Sequence, residues 1–389
     1  MPTALVNGTK LYYIRTGKGA DVVLVHGLAS NVAFWYSGTI LPLRHQYRVT
    51  AYDLRGHGYS GMPHSGYTHK HMAEDLLGLA DCLKLGRFHL VGHSFGGLVS
   101  LSFALRHPKR LRSLTLADVP ISGISPDRPS WWHGLLETLR DLGITVRENE
   151  PYPELQILEE LARPQVRSLI QGRMRIFTHL PYYWGRGSKR TAKRWLELLN
   201  TTTAREDIRL REISAEELRR IELPTLMIYG SESMWRSSGK ILRECLPNLN
   251  TVYVENAGHC HPWEKPERFL QNWRRFISAI DARGQYLGRD RRRHKRFKLR
   301  FPLSLREIGD TSYRAATLDV SRGGLLIESS RQLRMDREVE ITAILNEDDQ
   351  RIVSRGRVVW MEREETGSDY RFGIELFDGG QAWENLLAE

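Results

Sequence analysis

Cysteine is nearly absent. The 389 residues hold three, Cys82, Cys245 and Cys260, an odd number whose spacing fits neither a disulfide framework nor a zinc site, so no metal is expected. No apolar run is long enough to cross a bilayer, and the N-terminal residues lack the hydrophobic segment of a signal peptide. The compartment these absences fit is the cytoplasm, with no transmembrane segment. Acidic residues are outnumbered, 46 against 57 basic, for a formal net charge of +11. A basic excess invites a nucleic-acid or membrane-surface reading. Here it is uneven, densest from Arg289 to Arg300. That concentration points to a local anionic ligand, and a nucleic-acid polymer is not the expected partner.

What is present is ordinary globular material, 41% hydrophobic and 26% charged, in a chain long enough for two domains. Short buried-strand runs recur at 10–16, 21–25, 47–52, 88–91 and 111–117, and again at 224–230 and 251–254. The run Phe88–Val91 leads directly into Gly92-His93-Ser94-Phe95-Gly96, a G-x-S-x-G sequence, and then into a helix-compatible stretch stopped by Pro108. Strand, sharp turn and helix are the setting of a nucleophile elbow. Side chains at Gly92 or Gly96 would collide with neighbouring elements, and the turn lifts the Ser94 hydroxyl out of the sheet. It also leaves the Phe95 N–H at a helix N-terminus, where an oxyanion is stabilised.

A serine hydroxyl needs a base to take its proton and a third group to hold that base. His259 lies in a glycine-containing loop after the last strand, where an imidazole can reach over the nucleophile. His57 precedes the serine and reads as a turn residue, and His93 reads as packing. Between Val119 and Ile221 the composition changes to helical runs with Trp131, Trp132, Tyr182, Tyr183, Trp184 and Trp195. This resembles a helical cap inserted between two core strands. Its aromatics either line an apolar pocket or form the core of the cap.

With His26-Gly27, Gly92–Gly96 and Gly258-His259 in this order, residues 1–281 resemble the α/β-hydrolase superfamily. The resemblance implies an α/β sandwich, a mostly parallel sheet flanked by helices, with core segments 1–118 and 222–281 and a cap over about 119–221. It also implies a small-molecule carbonyl substrate, catalysis by Ser94 and His259 without a cofactor, and an oxyanion hole from the Leu28 and Phe95 N–H groups. Many members carry the acid as an Asp three residues beyond the glycine equivalent to Gly230, but here that residue is Ser233. Glu232 is the favoured substitute, and Asp118, at the end of an earlier strand, is the other candidate. A serine at 94 separates the chain from relatives that attack with Asp, such as haloalkane dehalogenases and epoxide hydrolases.

Residues 282–290 are polar and read as a linker. Beyond them, short alternating segments at 301–306, 313–320, 324–327, 338–345, 351–360 and 371–377 suggest a small antiparallel β-barrel. Arg292-x-x-x-Arg296 before the first of these, and Asp319-x-Ser321-x-x-Gly324 at a strand end, resemble the PilZ domain, over residues 291–389. The resemblance implies cyclic di-GMP as a regulatory ligand. The chemistry is consistent: arginine forks match phosphate and guanine edges, and Asp319 accepts from a guanine N–H. The arginine pairs Arg289/Arg293 and Arg296/Arg300 share the same spacing. The expected function is therefore a serine hydrolase of ester-like substrates under cyclic di-GMP control. The alternative is a non-catalytic effector that uses the hydrolase fold for docking. The sequence leaves the oligomeric state and the direction of regulation open.

Overall fold

The computed structural model describes residues 2–121, 130–148, 152–170, 188–210, 212–284, 302–307, 312–321, 324–334, 337–344, 351–363 and 369–377. The chain divides into two compact units, Met1–Gln285 and Tyr286–Glu389.

The first unit is built on strands β1 (Thr3–Val6), β2 (Thr9–Thr16), β3 (Ala20–Val25), β4 (Tyr47–Tyr52), β5 (Phe88–His93), β6 (Leu111–Ala117), β7 (Thr225–Gly230) and β8 (Leu249–Val254). They form one sheet in the order β1-β2-β4-β3-β5-β6-β7-β8. β1 and β2 join antiparallel at one edge, and every pair from β4 to β8 is parallel. Central strands covered on both faces need continuous apolar side chains. Val22, Val23, Leu24 and Val25 of β3 and Leu90 and Val91 of β5 are accordingly buried. One apolar cluster packs the helices His69–Cys82 and Phe95–Arg106 on one face. A second packs the helix Pro266–Gly284 on the other, around Phe269, Trp273 and Ile277.

That last helix runs past Ile280 into the stretch read as linker. Ala282 and Arg283 favour helix, and Gly284 ends it. Short β1, with only Val6 of its four residues buried, carries too little pattern to be read from the sequence.

Between β6 and β7 the described residues form helices, the longest being Ser130–Asp141, Pro153–Ala162 and Ser188–Thr201. Trp132 and Trp195 are each 1% exposed and belong to the apolar cluster. Both thus pack with the side chains of the sheet and its helices, Trp195 lying 5.8 Å from the His57 ring between centroids. Tyr182, Tyr183 and Trp184 lie outside the described residues.

The second unit is a closed antiparallel barrel of β9 (Pro302–Glu307), β10 (Tyr313–Ser321), β11 (Gly324–Ser329), β12 (Glu338–Ile344), β13 (Arg351–Arg363) and β14 (Tyr370–Leu376), ordered β10-β11-β14-β13-β12-β9. Alternate residues such as Leu303, Leu305, Ile341, Ile374 and Leu376 fill its interior. Among the described residues, no helix is long and apolar enough to cross a membrane.

Candidate active site

Neighbouring parallel strands release their chains at the same edge of the sheet, and the chemistry collects there. Ser94 follows β5 with φ 53° and ψ −127°, a backbone geometry that L-residues rarely hold. Its own N–H donates to the Ala117 carbonyl at 2.9 Å, which ties the elbow to the end of β6. The turn closes only because it is lined by glycine. A Cβ on Gly92 would lie 2.4 Å from the Gly96 carbonyl oxygen, and one on Gly96 would lie 2.5 Å from the Val25 and His26 carbonyl oxygens.

Gly27, after β3, faces the serine. A Cβ there would come within 2.8 Å of Ser94 Cβ and 3.2 Å of its Oγ. Leu28 therefore follows a residue in contact with the nucleophile, and Phe95 opens the helix behind it. The loop beyond Leu28 is braced from the segment after β4. His57 Nε2 accepts from the Ala29 N–H at 3.3 Å while His57 Nδ1 meets the Arg55 carbonyl at 3.0 Å. Asp53 Oδ1 accepts from the Val32 N–H at 2.8 Å, and its Oδ2 from the Tyr59 N–H at 2.7 Å. Burial lowers His57 to about 4, so it is neutral and can accept on one nitrogen and donate on the other. His57 is thus a structural residue with a specific task, holding the loop that carries Leu28.

The carboxylate beside His259 is Asp118. Its Oδ1 lies 3.0 Å from His259 Nδ1. The favoured expectation, Glu232, is not met: no described carboxylate other than Asp118 is hydrogen-bonded to that ring. Glu232 is instead tied through its backbone, its N–H donating to the Ala257 carbonyl at 3.0 Å. The physical reason lies in the end of β6. Asp118 follows Ala117 with φ 52°, is fully buried, and has two further donors waiting for it. The Ser233 hydroxyl donates to Oδ1 and the Gly230 N–H to Oδ2 at 3.0 Å. Ser233 thus supports the carboxylate of Asp118 rather than supplying a carboxylate of its own. Gly230 is required here, since a Cβ would lie 2.2 Å from the Ala257 carbonyl oxygen and 2.3 Å from that of Gly258, in the loop leading to His259.

Burial pushes the Asp118 carboxyl well above the usual carboxylate range, while the hydrogen bonds from Ser233 and Gly230 pull it down. Burial also lowers His259 to about 4. At neutral pH the imidazole is therefore uncharged, with Nδ1 facing Asp118 Oδ1. The ring keeps 14% of its side-chain surface exposed. No hydrogen bond joins Ser94 Oγ to His259 in this resting geometry, a contact that commonly tightens only around substrate. Among the described residues no cluster of His, Cys, Asp and Glu could hold a metal ion.

His93 is more than packing. It stacks on Phe34 at 4.5 Å between centroids, and its Nε2 lies 2.9 Å from the His259 carbonyl oxygen. The Ser233–Asp118 contact and this contact of His93 leave no mark in the local sequence. The one available signal was Gly230-x-x-Ser233, a glycine-framed turn in which the expected Asp is replaced by a hydroxyl.

In the barrel, Asp319 and Ser321 sit two residues apart on β10, and Ser321 pairs with Gly324 at the end of the β10–β11 hairpin. A bulge between Thr317 and Asp319 shifts the register just before them, a device that re-aims the side chains that follow. A Cβ on Gly324 would lie 2.5 Å from the Ile374 carbonyl oxygen, so the close approach that this glycine permits is that of β14. Arg292 and Arg296 lie outside the described residues.

Residues 22–266 match the family model described as alpha/beta hydrolase fold, and residues 290–388 match the PilZ domain model. Over 277 residues the chain is 30% identical to a pimeloyl-[acyl-carrier protein] methyl ester esterase of Aeromonas hydrophila, covering 68% of this chain and 97% of that protein. It is 29% identical over 266 residues to the putative carbamate hydrolase RutD of Pseudomonas syringae, covering 66% of this chain and 93% of that one. Among solved structures, carboxylesterase CesB from Bacillus subtilis shares the fold with a TM-score of 0.56 at 20% identity, covering 71% of this chain and 90% of that one. The chain belongs to the α/β-hydrolase family and carries a PilZ domain at its C-terminal end.

Proposed function

We propose that this protein is a serine hydrolase of ester-like carbonyl substrates, with Ser94 as nucleophile, His259 as base and Asp118 as the acid that holds it. The observation that carries the reading is the Asp118–His259 contact of 3.0 Å at the same sheet edge as the strained Ser94 elbow. A neutral His259 takes the Ser94 proton on Nε2 as the oxygen attacks the carbonyl carbon. The Leu28 and Phe95 N–H groups receive the oxyanion. Asp118 steadies the imidazolium, which then protonates the departing alcohol. Water then attacks the acyl carbon as His259 takes its proton, and the carbon–Oγ bond breaks as His259 returns that proton to Ser94, releasing the acid. No cofactor enters these steps. Similarity to an esterase and a putative carbamate hydrolase favours substrates in which the carbonyl bears an oxygen or nitrogen leaving group.

Cyclic di-GMP is the proposed regulatory ligand. Asp319 and Ser321 on one barrel strand, together with the Arg292/Arg296 arm, supply an acceptor for guanine and forks for phosphate. Control requires that the nucleotide bind two arrangements of the protein with different affinity. The test is hydrolysis of p-nitrophenyl butyrate with and without saturating cyclic di-GMP. The expected result is Ser94-dependent turnover whose kcat or KM changes with the nucleotide. Turnover that persists in Ser94→Ala refutes the catalytic part, and unchanged kinetics at saturation refute the regulatory part. The non-catalytic alternative predicts no Ser94-dependent turnover, and the Asp118–His259 contact of 3.0 Å supports the catalytic reading over it.

A further inference from the structure

Beyond Asp118, the loop that carries His259 is gripped at three backbone atoms by two side chains on either side of it. Glu264, in the helical turn His261–Glu264, uses both carboxylate oxygens: Oε2 accepts from the Gly258 N–H at 2.9 Å and Oε1 from the Cys260 N–H at 3.1 Å. These are the N–H groups of the two residues on either side of the base. From the opposite side His93, the residue before the nucleophile, reaches the carbonyl of His259 itself at 2.9 Å. The acceptor there is a carbonyl, so His93 Nε2 carries the proton and donates. Its Nδ1 is buried with no partner among the described residues, and the ring is 4% exposed. The His93 and His259 rings are 4.8 Å apart between centroids.

We propose that Glu264 and His93 are positioning residues that fix the His259 loop against the nucleophile elbow, His93 by linking the two directly and Glu264 by clamping the amides on both sides of the base. The inference rests on the hydrolase reading of Ser94. Glu264 also adds a second anion near the ring. The titratable groups that face His259 are Asp118 from the end of β6, His93 from the elbow, and Glu264, Cys260 and His261 from its own loop and the following turn. Of these, Glu264 favours the protonated ring, against burial.

Two roles for Glu264 predict opposite signs. If the side chain merely keeps the loop folded, Glu264→Gln loosens it, wets His259 and lifts its titration toward the ordinary 6.5. If the carboxylate clamps and charges the site, Glu264→Gln keeps one acceptor, loses the anion, and moves the titration down.

The experiment is the pH profile of p-nitrophenyl butyrate hydrolysis for the full chain and its variants, with the 15N signals of His259 followed by NMR in parallel. Glu264→Gln is expected to lower kcat about 10- to 100-fold with little change in KM, and to shift the acid limb and the His259 titration to lower pH. His93→Leu is expected to lose a similar factor. His93→Gln, whose amide N–H reaches the place of Nε2, is expected to recover most of it. An unchanged kcat in Glu264→Gln, a titration that moves up, or a His93→Gln no better than His93→Leu overturns the proposal. The NMR titration needs no turnover. A wild-type protein that hydrolyses nothing, yet shows the downward shift in Glu264→Gln, would sink the hydrolase reading and leave the clamp standing.

Discussion

Replacing Asp118 by Asn changes one atom and removes one charge, so it separates position from electrostatics. The Nδ1–Oδ1 separation is 3.0 Å and the carboxylate is fully buried. With charge centres about 4 Å apart and an effective dielectric near 20, an ion pair of this kind is worth about 4 kcal/mol, or about 10³ in rate if it is felt only when the imidazole is protonated. The remaining donors make matters worse for the amide. An Asn that keeps its oxygen toward His259 must turn its NH2 toward the Gly230 N–H, donor against donor. Flipping the amide relieves that clash but presents NH2 to Nδ1 and forces the proton onto Nε2, the wrong tautomer for a base. Asp118→Asn is therefore expected to lower kcat/KM for p-nitrophenyl butyrate by about 10³ or more, with Glu232→Gln staying within about threefold of wild type. Circular dichroism of both variants checks that the fold is intact. An Asp118→Asn protein within tenfold of wild type, or a loss that instead follows Glu232→Gln, refutes the assignment of the acid.

Other outcomes follow from the same geometry. Gly27→Ala puts a methyl group 2.8 Å from Ser94 Cβ. It is expected to cost kcat/KM about 30-fold through displacement of the serine, with the melting temperature lowered by a few degrees while the fold is kept, as circular dichroism checks. Six buried histidines titrate low: His26 at about 3, His57, His89 and His259 at about 4, with His93 and His261 well below the ordinary value. The unfolded chain takes up protons from pH 6.5 downward that the folded chain refuses, so stability is full above 6.5 and falls as pH drops toward 4, by at most about 1.4 kcal/mol per pH unit for each such proton. Asp53, raised to about 6 by burial, and Asp118, also raised, oppose this but are outnumbered. Urea midpoints should drop steeply between pH 6.5 and 4.5, and a flat profile would contradict these burial assignments. Asp319→Ala is expected to weaken cyclic di-GMP binding about tenfold or more in calorimetry without lowering the thermal stability of the barrel. Wild-type affinity in that variant would remove Asp319 from the site.

Much of the architecture is written in local pattern. β3, β4, β5, β6 and β7 announce themselves as short apolar runs because central parallel strands are buried on both faces. The elbow is legible because its glycines and serine are contiguous. The barrel strands are legible because their alternation has the period of the pleat. Which carboxylate meets His259 is not legible locally, because it depends on contacts across long stretches of chain. Asp118 meets a hydroxyl 115 residues later and an imidazole 141 residues later, and no local pattern reports those meetings. Spacing from Gly230 points to position 233, yet the Ser233 hydroxyl and the Gly230 N–H both donate to Asp118. Gly324 makes the same point, since what it meets is the Ile374 carbonyl of a strand 50 residues away. His93 illustrates the limit of a side-chain rule. Pointing away from the serine is compatible with reaching the loop of the base.

Intact-mass and peptide-mapping analysis after brief exposure to a fluorophosphonate probes the catalytic claim without any assumption about the natural substrate. One adduct per chain is expected, located on Ser94, formed quickly in the wild-type protein, slowed about 10³-fold in Asp118→Asn and absent from His259→Ala. A wild-type protein that stays unlabelled, or an adduct on any residue other than Ser94, would contradict it.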